Sequence, residues 1–462
     1  IIIIIIMKLG YRHLVALLIM LSTMMAYLGR MNLSTAIVEM AKHHKKTTTG
    51  NTTDNTTTTT TAKHFDWNEK TQGVILGAFF YGYFALQLIT GRLTEIIGPR
   101  LLGTIGLAST ALINLLTPFL AEYYGYFVAS RVLMGTLQAG IFPCAFALAA
   151  HWIPDHERST VTSMAYIGGN LGTIIASGLS GWLCKHGFAG GWPSVFYVTG
   201  IIAAIITILY WLFISNNPEE NSKISQKEID FIRNNINTIN ADRKKLPVPW
   251  MHFLRSPAIY AGIFSQFSMM WAITVMMTKL PDYMHNVMKI SIESTGFFGS
   301  ALYTAESLSL FFGGILADTI IKRGKYSKNQ IRKTFQALAA FGSSIGLFIV
   351  PSLGPNAGMF LFVMITSMSL LGLQSGGIVP LPADLTTEFT ATIFGLFNTI
   401  AMTNGFIGPY VIGAMLDSDP KRPHHQWMIV WYFTAALRIA SGLVFIFIGS
   451  AENQGWDMLH LQ

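Results

Sequence analysis

Apolar stretches as long as a bilayer is thick recur twelve times along this chain. They lie near residues 13–39, 71–92, 101–121, 126–151, 160–182 and 194–214, then near 257–280, 296–317, 334–353, 358–380, 391–416 and 428–449. A spanning helix needs about 20 apolar residues, and helices can cross hydrocarbon because they satisfy their own backbone hydrogen bonds. The pattern predicts an all-α membrane protein with 12 transmembrane helices. Of 462 residues, 51% are hydrophobic and only 12% charged, about half the charged share of a soluble domain. Six runs, a polar interval and six more runs predict two six-helix bundles, 11–214 and 257–449, joined by a linker at 215–256. The tails are 1–10 and 450–462; Ile1 to Ile6 is low-complexity and too short to span, and Met7 is the more natural start.

An internal repeat supports two halves. Gly91 and Glu95 follow the second run, with Arg100 close behind; Gly314 and Asp318 follow the eighth, with Lys322, Arg323 and Lys325 behind. Glycine permits close helix approach, and an acid at a helix end facing basic loop residues can brace neighbouring helices. Chance recurrence of a short string is the competing reading.

The net charge of +8 suits nucleic acid or loops facing an anionic leaflet equally well until the bases are located. With the amino terminus inside, Lys and Arg favour the inner loops by about two to one, so the charge is a topology signal, with both termini cytoplasmic and no nucleic-acid partner. The exception is loop 41–70, which holds five lysines and the sequons at Asn51 and Asn55 in a threonine-rich stretch. It reads as a luminal or extracellular glycosylated loop. Asn32-Leu-Ser34 also fits the sequon but lies inside a run. In the linker, Ser225-Gln-Lys-Glu228 has capping-box spacing, with Ile224 and Ile229 placed as a hydrophobic staple, and predicts a surface helix. Two cysteines, Cys144 and Cys184, are too few for a disulfide framework.

There is no phosphate-binding loop, HExxH or paired CxxC, so the sequence supports no enzyme, cofactor or metal site. The informative residues are ionisable groups within apolar runs, where a charge costs about 2.5–3.5 kcal/mol. These are Arg30, Arg131, Lys279, Glu306 and Arg438. Arg30, with Asn32 and Ser34 nearby, can hold a carboxylate or phosphate by two parallel hydrogen bonds; a salt bridge or snorkelling is the alternative. Arg131 and Gln138 share one helical face about 10 Å apart, and Arg131 divides between cavity and interface. Glu306 is a candidate site for a coupling proton or cation, or a permanent partner of Lys279 or Arg131. Lys279 and Arg438 read as structural or interfacial. The histidines at 43, 44, 424 and 425 read as solvated. Tyr81, among the aromatics around 79–83, and Trp271 are candidates to line a substrate cavity, against the commoner role of packing.

These segments resemble the anion transporter family of sialin, the vesicular glutamate transporters and the type I sodium/phosphate cotransporters, within the major facilitator superfamily. The resemblance rests on Arg30-Met-Asn-Leu-Ser-Thr-Ala-Ile-Val-Glu-Met40, Gly77 to Tyr83, Trp152-Ile-Pro-Asp-His-Glu-Arg-Ser159, Asn398-Thr with Gly408-Pro409, and Glu452 to Trp456. It implies two six-helix bundles, a central cavity, alternating access, and binding of an anion by Arg30 and Arg131. Gln138 stands where sialin-like proton-coupled members have Glu, as in the phosphate and organic-anion branch. Leu76 and Met269 stand where glutamate transporters have His and Arg. Leu381-Pro-Ala-Asp384 keeps the family's Asp without its usual nearby Asn.

The expectation is a monomeric secondary transporter of a small anion, sialate-like or phosphate, coupled to sodium or protons, in a plasma, lysosomal or vesicular membrane. A non-transporting receptor or scaffold on the same fold is the alternative.

Overall fold

The computed structural model describes residues 10–41, 63–67, 69–236, 247–278, 280, 283–284, 287–288, 292–353, 356–417 and 423–456. Asn51, Asn55 and Lys279 lie outside them. The first half comprises α1 (Tyr11–Met40), α2 (Glu69–Ile97), α3 (Pro99–Leu120), α4 (Tyr124–Gln138), α5 (Ile141–Trp152), α6 (Arg158–His186) and α7 (Trp192–Phe213). Two short linker helices follow, α8 (Gln226–Asn234) and α9 (Trp250–Arg255). The second half comprises α10 (Pro257–Thr278), α11 (Ile292–Lys322), α12 (Lys328–Ile349), α13 (Ala357–Gly372), α14 (Leu381–Leu385), α15 (Thr390–Met402), α16 (Asn404–Asp417) and α17 (Pro423–Ile448).

Among the described residues, ten helical segments are long and apolar enough to cross a membrane, with α4–α5 forming one of them. The other two spans expected from sequence have physical reasons to fall short. Helix α6 is long but rich in Gly, Ser and Thr, because it packs tightly on α1: a Cβ at Gly168 or Gly172 would stand 2.3 Å from the main-chain oxygen of Met20 or Met24. Small residues at such a crossing let two backbones approach. The eleventh span is interrupted at Thr403 between α15 and α16. Outward-facing Phe119, Ile208, Phe362 and Phe447 are each more than half exposed, as side chains against lipid tails would be.

The halves meet along two seams, α2 against α15 and α6 against α11. The linker helix completes only half of its capping box. Ser225 Oγ accepts from Glu228 N at 3.3 Å, but the Glu228 carboxylate reaches across to α1, accepting from Tyr11 N at 2.8 Å and Arg12 N at 3.1 Å. The start of α1 carries unsatisfied N–H groups and positive dipole charge, so it competes well for that acid. Ile224 and Ile229 both join the large apolar core that residues of the two halves build together. The end of the molecule carrying α8 and the start of α1 is called the linker face below.

Candidate functional site

Arg30 projects from the middle of α1 into an aromatic enclosure. Its guanidinium carbon lies 4.4 Å from the ring centre of Phe80, 5.0 Å from Tyr27 and 5.1 Å from Phe79. Each such contact stabilises a cation by about 0.5–2 kcal/mol, depending on desolvation. The Nε is buried without a hydrogen-bond partner, and no carboxylate among the described residues pairs with this guanidinium. Tyr27, Arg30, Phe79, Tyr83, Gln138 and Phe142 bound a narrow cleft of about 10 Å³, room for about one water. A larger hollow of about 220 Å³ lies at the linker face beside Arg92 and Glu95. Charge, rather than volume, selects the smaller one as the anion site, because there, among the described residues, a half-buried cation lines the cleft without an acid beside it.

Arg131 is 2% exposed, which settles its position as buried rather than snorkelling. Its Nη2 donates to the Arg30 carbonyl at 3.2 Å and its guanidinium sits 5.9 Å from the Phe79 ring. Close helix approach makes this possible: a Cβ at Gly135 would stand 2.0 Å from the Phe79 oxygen. Gln138 lines the cleft and donates to Thr110 Oγ1 at 2.6 Å.

Three expected substrate residues do not line the Arg30 cleft. Asn32 is wholly buried on another face of α1, donating to Asn114 Oδ1 at 2.7 Å and Thr199 Oγ1 at 3.0 Å; two positions along a helix turn about 200°, away from Arg30. Tyr81 is 71% exposed outside the enclosure. Trp271 is packed in the second-half core, its indole N–H donating to Thr434 Oγ1 at 3.2 Å. Arg438 is buried as a brace, donating to the Ala339 carbonyl at 3.1 Å.

The repeated Gly-acid motif closes the two seams, with partners other than the expected bases. Glu95 accepts from Thr392 N and Thr392 Oγ1, both at 2.7 Å, at the start of α15. Asp318 accepts from Ser159 N at 3.1 Å, Thr160 N at 2.7 Å and Thr160 Oγ1 at 2.6 Å, at the start of α6. Each acid thus caps a helix of the opposite half, where orphan N–H groups and the helix dipole favour negative charge. The glycines allow the contact: a Cβ at Gly91 would stand 2.6 Å from the Ala391 oxygen, and one at Gly314 3.0 Å from Thr160 Cα. Arg100 turns instead to the Trp211 carbonyl and ring.

A buried charge cluster beside these caps was not legible in the sequence. Asp384 of α14 accepts from Arg332 Nε of α12 at 2.7 Å and lies 3.3 Å from Lys328 and 3.6 Å from Arg158 of α6. Arg332 also donates to Ser159 Oγ at 2.7 Å and Arg158 to the Ala383 carbonyl at 3.2 Å, so the cluster ties the halves at the linker face. Residues 52 apart carry no local spacing signal.

Glu306 is 3% exposed on α11. Asn170 of α6 faces it and donates to the adjacent Ser307 Oγ at 3.0 Å. Among the described residues no base pairs with Glu306, and Arg131 lies with Arg30 instead. No group of three metal-binding side chains occurs among the described residues.

Residues 19–409 match the profile of the Major Facilitator Superfamily. The chain belongs to that superfamily. It is 31% identical over 458 residues to a putative inorganic phosphate cotransporter of Drosophila melanogaster, covering 96% of this chain and 86% of the relative. It is 28% identical over 397 residues to sialin of Homo sapiens, covering 86% and 79%, and is related to vesicular glutamate transporters. The structure of the superfamily's proton:xylose symporter XylE matches with a TM-score of 0.68 at 14% identity, over 98% of this chain and 99% of that one, which shows a shared fold. The chain is therefore an all-helical, integral multi-pass membrane protein of the major facilitator fold, and its relatives are transporters rather than enzymes.

Proposed function

We propose that this chain is a secondary active transporter that carries a small anion, sialate-like or inorganic phosphate, by ion-coupled symport with alternating access. The observation that carries this reading is Arg30: a guanidinium in a protein cleft, with a buried Nε lacking a partner and no acid among the described residues to neutralise it. Such a group binds a carboxylate or phosphate by charge-assisted hydrogen bonds about twice as strong as neutral ones. Phe80 and Phe79 hold it in place, and Arg131 adds a second positive charge behind it. The names of the relatives, sialin and a phosphate cotransporter, support an anionic substrate. The gathering of caps and ion pairs at the linker face supports alternating access, since these are the contacts that must break for that face to open. The linker face is assigned to the cytoplasm by the distribution of bases, in a plasma, lysosomal or vesicular membrane.

The test is uptake by liposomes containing the purified protein, offered phosphate, sialate, glutamate and urate under separate sodium, proton and voltage gradients. Accumulation of one of these anions, lost in Arg30→Ala, is expected. Failure of every anion to accumulate, or full uptake by the variant, would overturn the assignment.

A further inference from the structure

The repeat pairs more than its caps. Gly91 and Glu95 correspond to Gly314 and Asp318, so twelve residues back along each helix Tyr83 corresponds to Glu306. Twelve residues of helix span about 18 Å, which places both positions at mid-depth on their seams. Tyr83 lines the Arg30 cleft and faces Asn398 of α15. Glu306 occupies the matching place on the other seam and faces Asn170 of α6. One half therefore offers a phenol across its seam and the other a carboxyl, each against an asparagine of the opposite bundle.

The surroundings of Glu306 hold no counter-charge among the described residues. From α6 it meets the Asn170 amide; Tyr166, one turn nearer the linker face, is engaged by Gln266 Nε2 at 3.1 Å. From α13 it meets Gly372, where a Cβ would stand 2.8 Å from the Glu306 carbonyl, and that helix carries no ionisable residue. The turn at 373–376 adds only Gln374 and Ser375. From α12 the nearest seam cation, Arg332, is committed to Asp384. On α11 itself Tyr303 is the neighbouring titratable group, its hydroxyl buried without a partner, and Asp318 is engaged at the α6 cap.

We propose that Glu306 is the proton-binding site of the transport cycle: it holds a proton while α6 and α11 are closed on each other and gives it up when they separate. A carboxylate enclosed without a cation is costly, whereas the neutral acid can remain between Asn170 and Tyr303. Separation of the seam admits water, which solvates the charge and lets the acid ionise. Because Asn170 and Glu306 belong to different halves, the proton and the bundle motion are linked directly. This proposal rests on the transporter reading.

Two measurements on the full-length protein in liposomes separate it from that reading. The first needs no substrate: a cysteine replacing Ser163, buried near the linker end of α6, reports opening by its rate of alkylation. Alkylation, divided at each pH by that of the same cysteine in denatured protein to remove the thiol's own ionisation, is expected to rise severalfold with pH, to lose that dependence in Glu306→Gln, and to regain it with a displaced midpoint in Glu306→Asp. The second is phosphate uptake: Glu306→Gln is expected to lose accumulation driven by a pH gradient while keeping phosphate exchange across the membrane. An unchanged alkylation profile in Glu306→Gln overturns the proton site, and so does an alkylation rate set by sodium rather than pH. If the wild type moves no phosphate or other anion, the transporter reading fails while the alkylation result still decides whether Glu306 governs the seam.

Discussion

Arg131 Nη2 donates to the main-chain carbonyl of Arg30 at 3.2 Å, so the second guanidinium of the cleft is fastened to the backbone that carries the first. The contact makes Arg131 a positioning residue for Arg30 as well as a source of field. Arg131→Lys keeps the charge but loses the planar fork that spans from the Arg30 carbonyl toward Phe79. A net hydrogen bond from a charged group is about 1.5–3 kcal/mol, so anion affinity should fall roughly tenfold or more. The concentration dependence of uptake would show it as a raised KM with normal protein levels in the membrane; unchanged KM would leave Arg131 a structural element of α4.

Arg30 itself should tolerate lysine no better. The compact ammonium can neither fill the space between Phe79, Phe80 and Tyr27 nor present two parallel donors. Uptake by Arg30→Lys should therefore fall by about tenfold to a hundredfold, from the loss of one charge-assisted bond. Equal rates for wild type and Arg30→Lys would mean that the site needs only a point charge.

The two cross-half caps should act as a latch. Asp318→Asn and Glu95→Gln keep the size of each side chain but remove the negative charge that each places at a helix start of the opposite half. Each loss of about 1–2 kcal/mol should favour an open linker face by roughly fivefold to thirtyfold. Alkylation of a cysteine placed behind the latch should accelerate in either variant and most in the double variant. Additive logarithmic effects would indicate independent seams, and a smaller double effect would indicate that one cap already opens both.

Ten of the spans and the repeated motif were legible because each is written in local spacing. Arg30 and Glu306 stood out for the same reason, as charges within apolar runs. What the repeated acids touch was not legible. The basic residues following each motif suggested ion pairs, yet Arg100 folds back on Trp211 while Glu95 reaches Thr392, almost three hundred residues on. Asn32 shows the limit of reading neighbours along a helix: two residues from Arg30 in sequence, it faces Asn114 and Thr199 in the bundle interior. Trp271 likewise needed its tertiary partner, Thr434, to be recognised as packing.

Helix approach supplies a stability test. A leucine at Gly172 must displace the Met24 carbonyl, which would otherwise lie 2.3 Å from its Cβ, so α1 and α6 must part along the whole crossing. Overpacking of this kind costs about 1–3 kcal/mol or more. Gly172→Leu should lower the thermal midpoint of the purified protein by several degrees, whereas Gly178→Leu, at an open position of the same helix, should leave it near wild type. Equal midpoints for the two would contradict the close crossing.

Glu157 gives a pH dependence outside the membrane spans. Burial pushes its carboxyl up, but the fork of Arg12, with bonds of 2.8 and 3.1 Å, and the charges of Arg12, His13 and His156 together hold it below the usual glutamate range. A folded-state value depressed in this way contributes stability that is complete above the unfolded value and is lost as pH falls through the folded one. The pin between α1 and the segment before α6 should therefore be intact at neutral pH and weaken only in acid below the ordinary glutamate range. Thermal unfolding across pH should show wild type losing stability there, while Glu157→Gln starts lower at neutral pH and falls less. The gap between the two proteins should narrow toward acid, because a protonated Glu157 and the neutral amide of the variant both lack the charge that Arg12 requires; a gap that widened would reverse the sign of the linkage.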